Sequence, residues 1–543
     1  MKLPIYFKQT LAVLTKKVSL FSLVFVGILF FSCGQKEAEY IAIVAPVEFS
    51  PEIPVDVDPK LQEKLIKQKD IFALNEAYNR YSWQAFMAIN WPVAKDGKAK
   101  AKFTDKGDPS WLGWKEAFQV YRADGQKPAP WGAPRTESGL KINEKILSNN
   151  DARILLSSKT PTHPDNFNID DETDQAFAGE LFDQNGNVIV YEVLMNKIEF
   201  DYVVENELYN LNGQINFAST GAIADFPAGD YDNNYLGAVE IKFAWKILKD
   251  TDKKERYFQN EAYVYNKDSV LVKKHFGLIG MHISQKTPTG KQWVWSTFEH
   301  IDNLDQNVII EKDGSTTVIH PTLTDPNCEI CPVNVDATNR NSKGIANTYT
   351  HNSSKHSDYW NITNDSNNYY ANSTVMKTQA KRMIDIPVRV KRINSMMQDY
   401  FKELGSVWQY YQLIDTQYPV DQNIVPGIST ITEYHLPESV INKSGGKPNV
   451  ALLTNITMET FFQDGNQVAG LMENSTTAKT DKPITIFGTE SCIGCHSSAK
   501  IAKGYDAKFD SIILGNQLSG DFSWLLKKAA WEKGVPKSTT KTN

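Results

Sequence analysis

Residues 239–247 read Val-Glu-Ile-Lys-Phe-Ala-Trp-Lys-Ile, so that large apolar side chains alternate with charged or small ones. This period of two is typical of a β-strand with one buried face. Four further stretches are also predicted to be strands: residues 187–195, 257–265, 277–284 and 293–298. Turn-forming Asn, Asp and Gly residues separate them, which favours antiparallel pairing over βαβ units. The centre of the chain is therefore expected to be a β-rich antiparallel region.

Helical patterns flank this centre. Apolar residues recur at three- and four-residue steps over 61–85, and the pattern ends at the Asn-Trp-Pro sequence at 90–92, because proline disfavours continuation of a helix. A second helical pattern covers residues 390–411, with Met396 and Met397 in its apolar stripe. Methionines in such a stripe are more often packing residues than ligands. The expected fold class is α+β, with flanking helices around the central strands.

Composition excludes some classes of protein. The chain has 543 residues, of which 41% are hydrophobic and 11% aromatic, as in folded globular proteins. The formal net charge of -6 is small for this length and gives no reason to expect nucleic acid as a partner, since such binders carry basic patches or stripes. Residues 334–374 are dense in Asn, Ser, Thr and Asp and are predicted to be a long surface loop or partly disordered.

The N-terminus has the features of an export signal. Four lysines precede an apolar run over residues 18–31, which leads into Phe-Phe-Ser-Cys-Gly at 30–34. A small residue before a cysteine at this place resembles the bacterial lipobox, which implies cleavage before Cys33 and a diacylglycerol group on its sulfur. The alternative is an uncleaved membrane anchor, although so short a run is marginal for crossing a bilayer. Both interpretations place the mature chain in the cell envelope, facing the periplasm or the cell surface.

Residues 489–496 read Thr-Glu-Ser-Cys-Ile-Gly-Cys-His and contain C-x-x-C-H, the signature of c-type haem attachment. Two thiols at this spacing can form thioethers with the two vinyl groups of one porphyrin, and the adjacent histidine is then the proximal iron ligand. The sequence therefore predicts one covalent haem c on Cys492, Cys495 and His496. A zinc site would need further Cys or His ligands nearby, and none follows His496.

The segment around this motif resembles the c-type cytochromes, over about the last tenth of the chain. Other stretches are similar to a large, poorly characterised bacterial cytochrome c family: residues 82–86, 295–300, 406–411 and 455–460. The resemblance implies a membrane-anchored lipoprotein that transfers electrons through one haem to a redox partner protein. It brings no known substrate with it.

These features divide the chain into four segments. Residues 1–32 are the expected signal peptide, and residues 33–60 are an extended tether, because prolines recur there among acidic and small residues. Residues 61–450 are the expected α+β body. Residues 451–543 are the expected cytochrome c-like haem-binding segment, packed on that body.

The distal iron ligand must come from elsewhere in the chain if it is Met or His, because the 47 residues after His496 contain neither. Met458 is the first candidate, since it lies in the family-like stretch 455–460, and Met472 and His435 come next. A lysine, water or no ligand at all are alternatives, and the alternative for Met458 itself is a core residue. A Met/His pair would suit electron transfer, whereas a five-coordinate iron would leave room for peroxide or dioxygen.

Other candidate residues carry weaker signals. Cys328 and Cys331 lack a haem histidine, so in an oxidising compartment a disulfide between them is expected rather than half of a zinc site. Three histidines would form a cluster if their strands pair: His275, His282 and His300. His300, with Glu299 and Asp302 beside it, is the most suggestive of a distal or catalytic role. The alternative for all three is a structural role.

Three functions follow from these observations. The first is an electron carrier on a membrane-anchored scaffold. The second is a haem-dependent oxidoreductase of the peroxidase or oxygenase kind with a substrate pocket in the body, which would need acid–base groups within hydrogen-bond reach of the reacting species. The third is a surface binding protein with a structural or sensing haem. Electron transfer is the function that we expect, although the large body argues against a simple carrier.

The substitution Cys33→Ala is expected to leave the precursor unlipidated and to release the protein from the membrane fraction, or to stall its processing. Stable anchoring depends on the acyl chains, because the short apolar run supplies little. Cell fractionation and the mass of the product measure this. An unchanged fraction and an unchanged mass would favour the uncleaved anchor.

Overall fold

The computed structural model describes residues 49–133, 181–265, 271–311, 313–327, 378–424, 446–450, 452–460 and 492–537, with short segments at 330–334, 348–352, 361–363, 466–468 and 484–486. The predicted signal peptide, Cys33, Cys328, Met472 and His435 lie outside these ranges, and so does most of the polar stretch 334–374. The side chain of Cys331 is likewise outside the description. Within these ranges, no helix is both long enough and apolar enough to cross a membrane.

The α-helices of the described residues are α1 (Pro59–Gln68), α2 (Ile71–Ile89), α3 (Ala117–Val120), α4 (Lys197–Glu205), α5 (Leu211–Ser219), α6 (Val388–Glu403) and α7 (Cys492–His496). The strands are β1 (Pro92–Val93), β2 (Asp108–Pro109), β3 (Lys115–Glu116), β4 (Val190–Met195), β5 (Val239–Ile247), β6 (Gln259–Tyr265), β7 (Leu271–Gln285), β8 (Val294–His300), β9 (Asn307–Ile310), β10 (Thr316–Ile319), β11 (Ile330–Val333), β12 (Thr348–Asn352), β13 (Asn361–Thr363), β14 (Tyr411–Gln417), β15 (Asn466–Val468), β16 (Ile484–Ile486), β17 (Ala502–Asp506) and β18 (Ser511–Leu514).

The central element is a seven-stranded sheet with the order β14-β8-β7-β5-β4-β3, in which β6 pairs with the first half of β7. Every pairing within it is antiparallel. The strand predicted at residues 239–247 has those bounds as β5, and the other four predicted strands overlap β4, β6, β7 and β8. The α+β class with an antiparallel centre is therefore confirmed.

Both faces of this sheet are covered, so the prediction of a single buried face is wrong. On one face, Phe243 and Trp245 belong to the large apolar cluster that includes buried residues of α2 and α6. On the other face, Glu240 and Lys246 are also buried. Helix α4 and the C-terminal residues 492–537 pack against this second face, in a cluster that contains Met195 of β4. Alternation in β5 therefore separates apolar from polar neighbours, not core from solvent.

The predicted first helix is divided in two. Lys69 adopts a left-handed conformation with φ of 56° and ends α1, and Asp70 then caps α2 by accepting a hydrogen bond from the Ala73 N–H at 3.0 Å. Helix α2 ends at Ile89, close to the position that Pro92 predicts. A polar N-cap residue can thus start a new helix within a continuous apolar pattern.

The second predicted helix is shorter than its pattern. Helix α6 ends at Glu403, and residues Val407–Tyr410 form a separate 3-10 turn. Met397 is buried in the core, as expected for a packing residue, whereas the side of the helix that carries Met396 is partly open, and Met396 is 37% exposed. Only one of the two predicted methionines therefore packs in the core.

Two carboxyl groups meet in the interior between α4 and β5. Burial, followed by the negative charge of Glu240, raises the pKa of Glu199 well above its ordinary value. Burial also raises the pKa of Glu240, while hydrogen bonds from Glu199 and Ser523 oppose that rise. Because two adjacent carboxylates in a dry interior repel each other, Glu199 is the member of the pair that keeps its proton.

The substitution Glu199→Gln is expected to make the free energy of unfolding less dependent on pH. A carboxyl group whose pKa is raised in the folded state stabilises that state at low pH, and the contribution is lost as pH rises through the raised value. The amide has no proton to lose, so the free energy of unfolding of the variant should match that of the native protein near about pH 5 and exceed it near about pH 8.5. Urea denaturation at both pH values measures this.

The matched control for this prediction is Glu205→Gln, because Glu205 lies on the same helix but is exposed. It should follow the native pH dependence. The same pH dependence in Glu199→Gln and in the native protein would contradict the assignment of a buried proton to this pair.

Candidate functional site

The C-x-x-C-H residues form helix α7, on which Cys492 and Cys495 lie three residues apart and therefore on the same side. Both are partly exposed, and neither is in a disulfide bond. Ile493 between them is fully buried, and its N–H donates a hydrogen bond to Gln417 Oε1 at 2.8 Å. Helix α7 is thus attached to the end of β14.

The imidazole of His496 is held by the backbone. Its Nδ1 lies 2.7 Å from the carbonyl oxygen of Phe522. Because a carbonyl only accepts hydrogen bonds, Nδ1 carries the proton, and Nε2 is the nitrogen that presents a lone pair. Burial lowers the pKa of His496 to about 4, although the Phe522 carbonyl opposes this effect. The ring is therefore neutral at neutral pH, as a metal ligand must be.

The loop that supplies this carbonyl has an unusual backbone. Leu518, Asp521 and Phe522 have φ values of 65°, 47° and 67°, in the left-handed region that non-glycine residues rarely adopt. Asp521 Oδ2 accepts hydrogen bonds from the Phe226 N–H and the Lys286 ammonium, both at 2.6 Å. Each strained residue costs about 1–3 kcal/mol, and such contacts are what maintain it. The loop therefore holds the Phe522 carbonyl in place against His496.

Aromatic rings pack beside the same imidazole. The rings of Trp295 and His496 have centroids 4.3 Å apart, and Trp293 lies 6.2 Å from Trp295. Phe226 follows at 5.9 Å from Trp293. His496 is thus fixed by a hydrogen bond at Nδ1 and by ring contact with β8.

A polar row crosses the sheet next to Trp295. Lys242 of β5 lies opposite His282 of β7, and His282 lies opposite Thr297 of β8. The two ring nitrogens of His282 contact Thr297 Oγ1 at 3.0 Å and Glu459 Oε1 at 2.9 Å. The charges of His282, Lys242 and Glu459 all act on the pKa of His496, so the row lies within electrostatic reach of helix α7.

Glu459 is placed by a segment that lies directly on the sheet. The Asn455 side chain donates to the Phe298 carbonyl at 2.9 Å, and the Asn455 N–H donates to Glu459 Oε2 at 2.8 Å. Gly280 permits this approach, because a Cβ at that position would lie 1.9 Å from Thr457 Oγ1. Burial would raise the pKa of Glu459, but His282, the Asn455 N–H and Lys242 outweigh it and lower the value. Glu459 is therefore ionised beside α7.

These residues fit a c-type haem. Helix α7 offers two partly exposed cysteines on one side and an imidazole whose Nδ1 is occupied by a carbonyl, which is the usual arrangement of a metal-binding histidine. Among the described residues, no group of three or more His, Cys, Asp or Glu side chains is arranged to hold a metal ion. A haem needs no such group, since the porphyrin supplies four nitrogen ligands itself.

Met458 has an environment different from that of Glu459. Its side chain is fully buried and belongs to an apolar cluster with Tyr191, Ala244 and Ile279. Neither Cys492 nor Ile493 belongs to that cluster. The assignment of Met458 as distal ligand stays a prediction. The side chain packs as a core residue does, which was the alternative role.

The three histidines of the sheet do not form a cluster. His275 lies opposite Glu261, His282 opposite Thr297, and His300 opposite Tyr411. Within the row, His282 is the histidine that acts on His496.

His300 has a structural environment. Its Nε2 lies 2.9 Å from the Arg256 carbonyl, its Nδ1 accepts from the Asp302 N–H at 3.1 Å, and its ring stacks on Tyr257 at 4.2 Å. Asp302 in turn forms a two-point ion pair with Arg256 at 2.6 Å. Burial lowers the pKa of His300 to about 4, so the ring is neutral.

No family model, no curated protein and no solved structure matches this chain. The residues of the site are therefore the basis for its function.

The substitution Met458→Leu is expected to leave the absorption spectrum of the haem-loaded protein unchanged, because the thioether lies among hydrocarbon side chains. Leucine nearly conserves the volume, so stability should fall by less than about 1.5 kcal/mol. Met458→Ala should lower the free energy of unfolding by about 2–5 kcal/mol, since it leaves a cavity. A change from low-spin to high-spin in Met458→Leu would instead identify the thioether as the distal ligand.

Proposed function

We propose that this protein is an exported, lipid-anchored c-type cytochrome that transfers electrons through one haem c bound at Cys492, Cys495 and His496. The observation that carries the proposal is the 2.7 Å contact between His496 Nδ1 and the Phe522 carbonyl, on a helix that also presents both thiols. It orients the ring and leaves Nε2 for iron. When bound, the haem supplies a one-electron couple whose potential depends on burial and on hydrogen bonds to its ligand.

The surroundings of His496 suit electron transfer. Trp295 and the strained loop at 518–522 restrict the movement of the ring, and Gln417 holds helix α7 against the sheet. A ligand fixed in this way keeps one geometry in both oxidation states, which keeps the rearrangement on electron transfer small. The body of the protein thereby acts as the rigid support of the redox centre.

Charge on the C-terminal segment favours an acidic redox partner. Within residues 492–537, lysines outnumber acidic residues seven to four, whereas the whole chain has a net charge of -6. Local excess of one sign steers a partner of the opposite sign toward that surface. A partner protein with an acidic docking surface, reached from a membrane anchor at Cys33, fits this distribution.

A haem-dependent oxidoreductase is the second candidate, and one observation favours it. The hydrogen-bonded pair of His282 and Glu459 lies with Lys242 on the second face of the sheet, within electrostatic reach of His496. Both side chains are partly buried, and an electron carrier has no need of an ionisable pair in this position. An enzyme that acts on small oxygen species would use a polar group in this place.

Acid–acetone extraction tests haem attachment. We expect the denatured native protein to retain its haem and to give a pyridine haemochrome of the thioether-linked type, because both vinyl groups are bonded to sulfur. The double substitution of Cys492 and Cys495 by Ala should abolish that retention. Cys331→Ala is the matched control, and it should retain haem fully. Extractable haem in the native protein would overturn the proposal.

A further inference from the structure

We propose that Glu459, oriented by His282, is the polar side chain that faces the haem and binds small weak acids of the peroxide class, which carry a proton that a carboxylate can accept. This inference rests on the proposed haem attachment. It assigns a ligand-binding role to two residues that lie outside the C-x-x-C-H motif.

Glu459 is within electrostatic reach of two residues of the motif, Cys492 and His496. Its negative charge acts on the Cys492 thiol and on the His496 ring. Trp295, whose ring touches His496, is two residues from Thr297 on β8, so the two side chains project from the same face about 7 Å apart. Thr297 contacts His282, and His282 contacts Glu459. The polar row thus begins one side-chain position away from the ring that would bind iron.

The carboxylate is held in one orientation. Glu459 Oε2 accepts from the Asn455 N–H at 2.8 Å, and Oε1 contacts His282 Nε2 at 2.9 Å. His282 is itself held at Nδ1 by Thr297. Both ring nitrogens of His282 are thereby engaged, which makes His282 a positioning residue. A carboxylate oxygen accepts more than one hydrogen bond, so Glu459 retains the capacity to accept another.

Glu459 is also accessible to a small molecule. Its side chain is 24% exposed and that of His282 is 14% exposed, whereas Thr297 and Ile493 beside them are fully buried. Cys492, Cys495 and His496 are likewise partly exposed. Glu459, His282 and the three motif residues are thus all partly open to solvent, so a small molecule can reach each of them.

Hydrogen cyanide is a probe for this chemistry. On binding, its C–H bond breaks, the proton goes to the Glu459 carboxylate, and the electron pair of the cyanide carbon goes to ferric iron. Glu459→Gln removes the proton acceptor while keeping the shape, so we expect cyanide association to slow by about a hundredfold, the lower end of general-base effects. Stopped-flow absorption at a fixed pH measures the rate.

Three variants separate positioning from general damage. His282→Gln should also slow cyanide association, by less than Glu459→Gln does, because the carboxylate loses its orientation. His275→Gln, on the same strand but opposite Glu261, is the matched control and should bind at the native rate. Haem content and the resting spectrum should be the same in all three variants.

The outcomes that overturn the inference are distinct. If Glu459→Gln binds cyanide at the native rate, Glu459 has no role in ligand binding. The same follows if the native protein is low-spin and does not bind cyanide. A low-spin to high-spin change in His282→Gln would make His282 an iron ligand instead. An equal decrease in the cyanide association rate of His275→Gln would show that the substitutions damage the protein unspecifically. Absence of covalent haem in the native protein would be the separate failure of the proposed function.

Discussion

Burial of both faces of the seven-stranded sheet is the constraint on which the rest of the structure depends. A polar side chain that loses water must find a partner or lose its charge. On the second face, Lys246 forms an ion pair with Asp252 at 2.9 Å, and burial beside Glu240 raises the pKa of Glu199 well above its ordinary value. Each buried polar residue of β5 therefore needs a neighbouring polar group as its partner.

The candidate site is part of that covering layer. Helix α7 and the loop at 518–522 lie on the second face, where Lys286 binds Asp521 at 2.6 Å and Gln417 holds Ile493. These contacts connect the sheet to the Phe522 carbonyl, and through it to His496. A substitution of Lys286 would consequently alter the position of the His496 imidazole through few intermediate groups. The size of the body is explained in part by this support.

The same face accounts for the two candidate functions. Electron transfer needs a rigidly held imidazole, which Trp295 and the Phe522 carbonyl provide. Chemistry on a small molecule would need a polar group near the proposed haem, and the contacts with His282 and Asn455 hold the Glu459 carboxylate in one orientation. One scaffold is thus compatible with both proposed functions.

Much of this protein was predictable from local sequence patterns. Alternation at residues 239–247 identified β5, and the spacing of Cys492, Cys495 and His496 identified the motif, because both signals depend on residues a few positions apart. The break between α1 and α2 at Lys69 was missed, since a capping aspartate within a continuous apolar pattern outweighed the pattern.

The surroundings of the motif were decided by tertiary structure. His282 and Glu459 are 177 residues apart and His496 and Phe522 are 26 apart, and no local pattern relates such positions. Glu459 lies beside Met458, the residue to which sequence reasoning assigned the ligand role, but the two side chains point into different environments. The chain alone determined the chemistry of the anchoring residues. Only the covering of the second sheet face decided which polar side chains meet them, because burial forces distant groups to become partners.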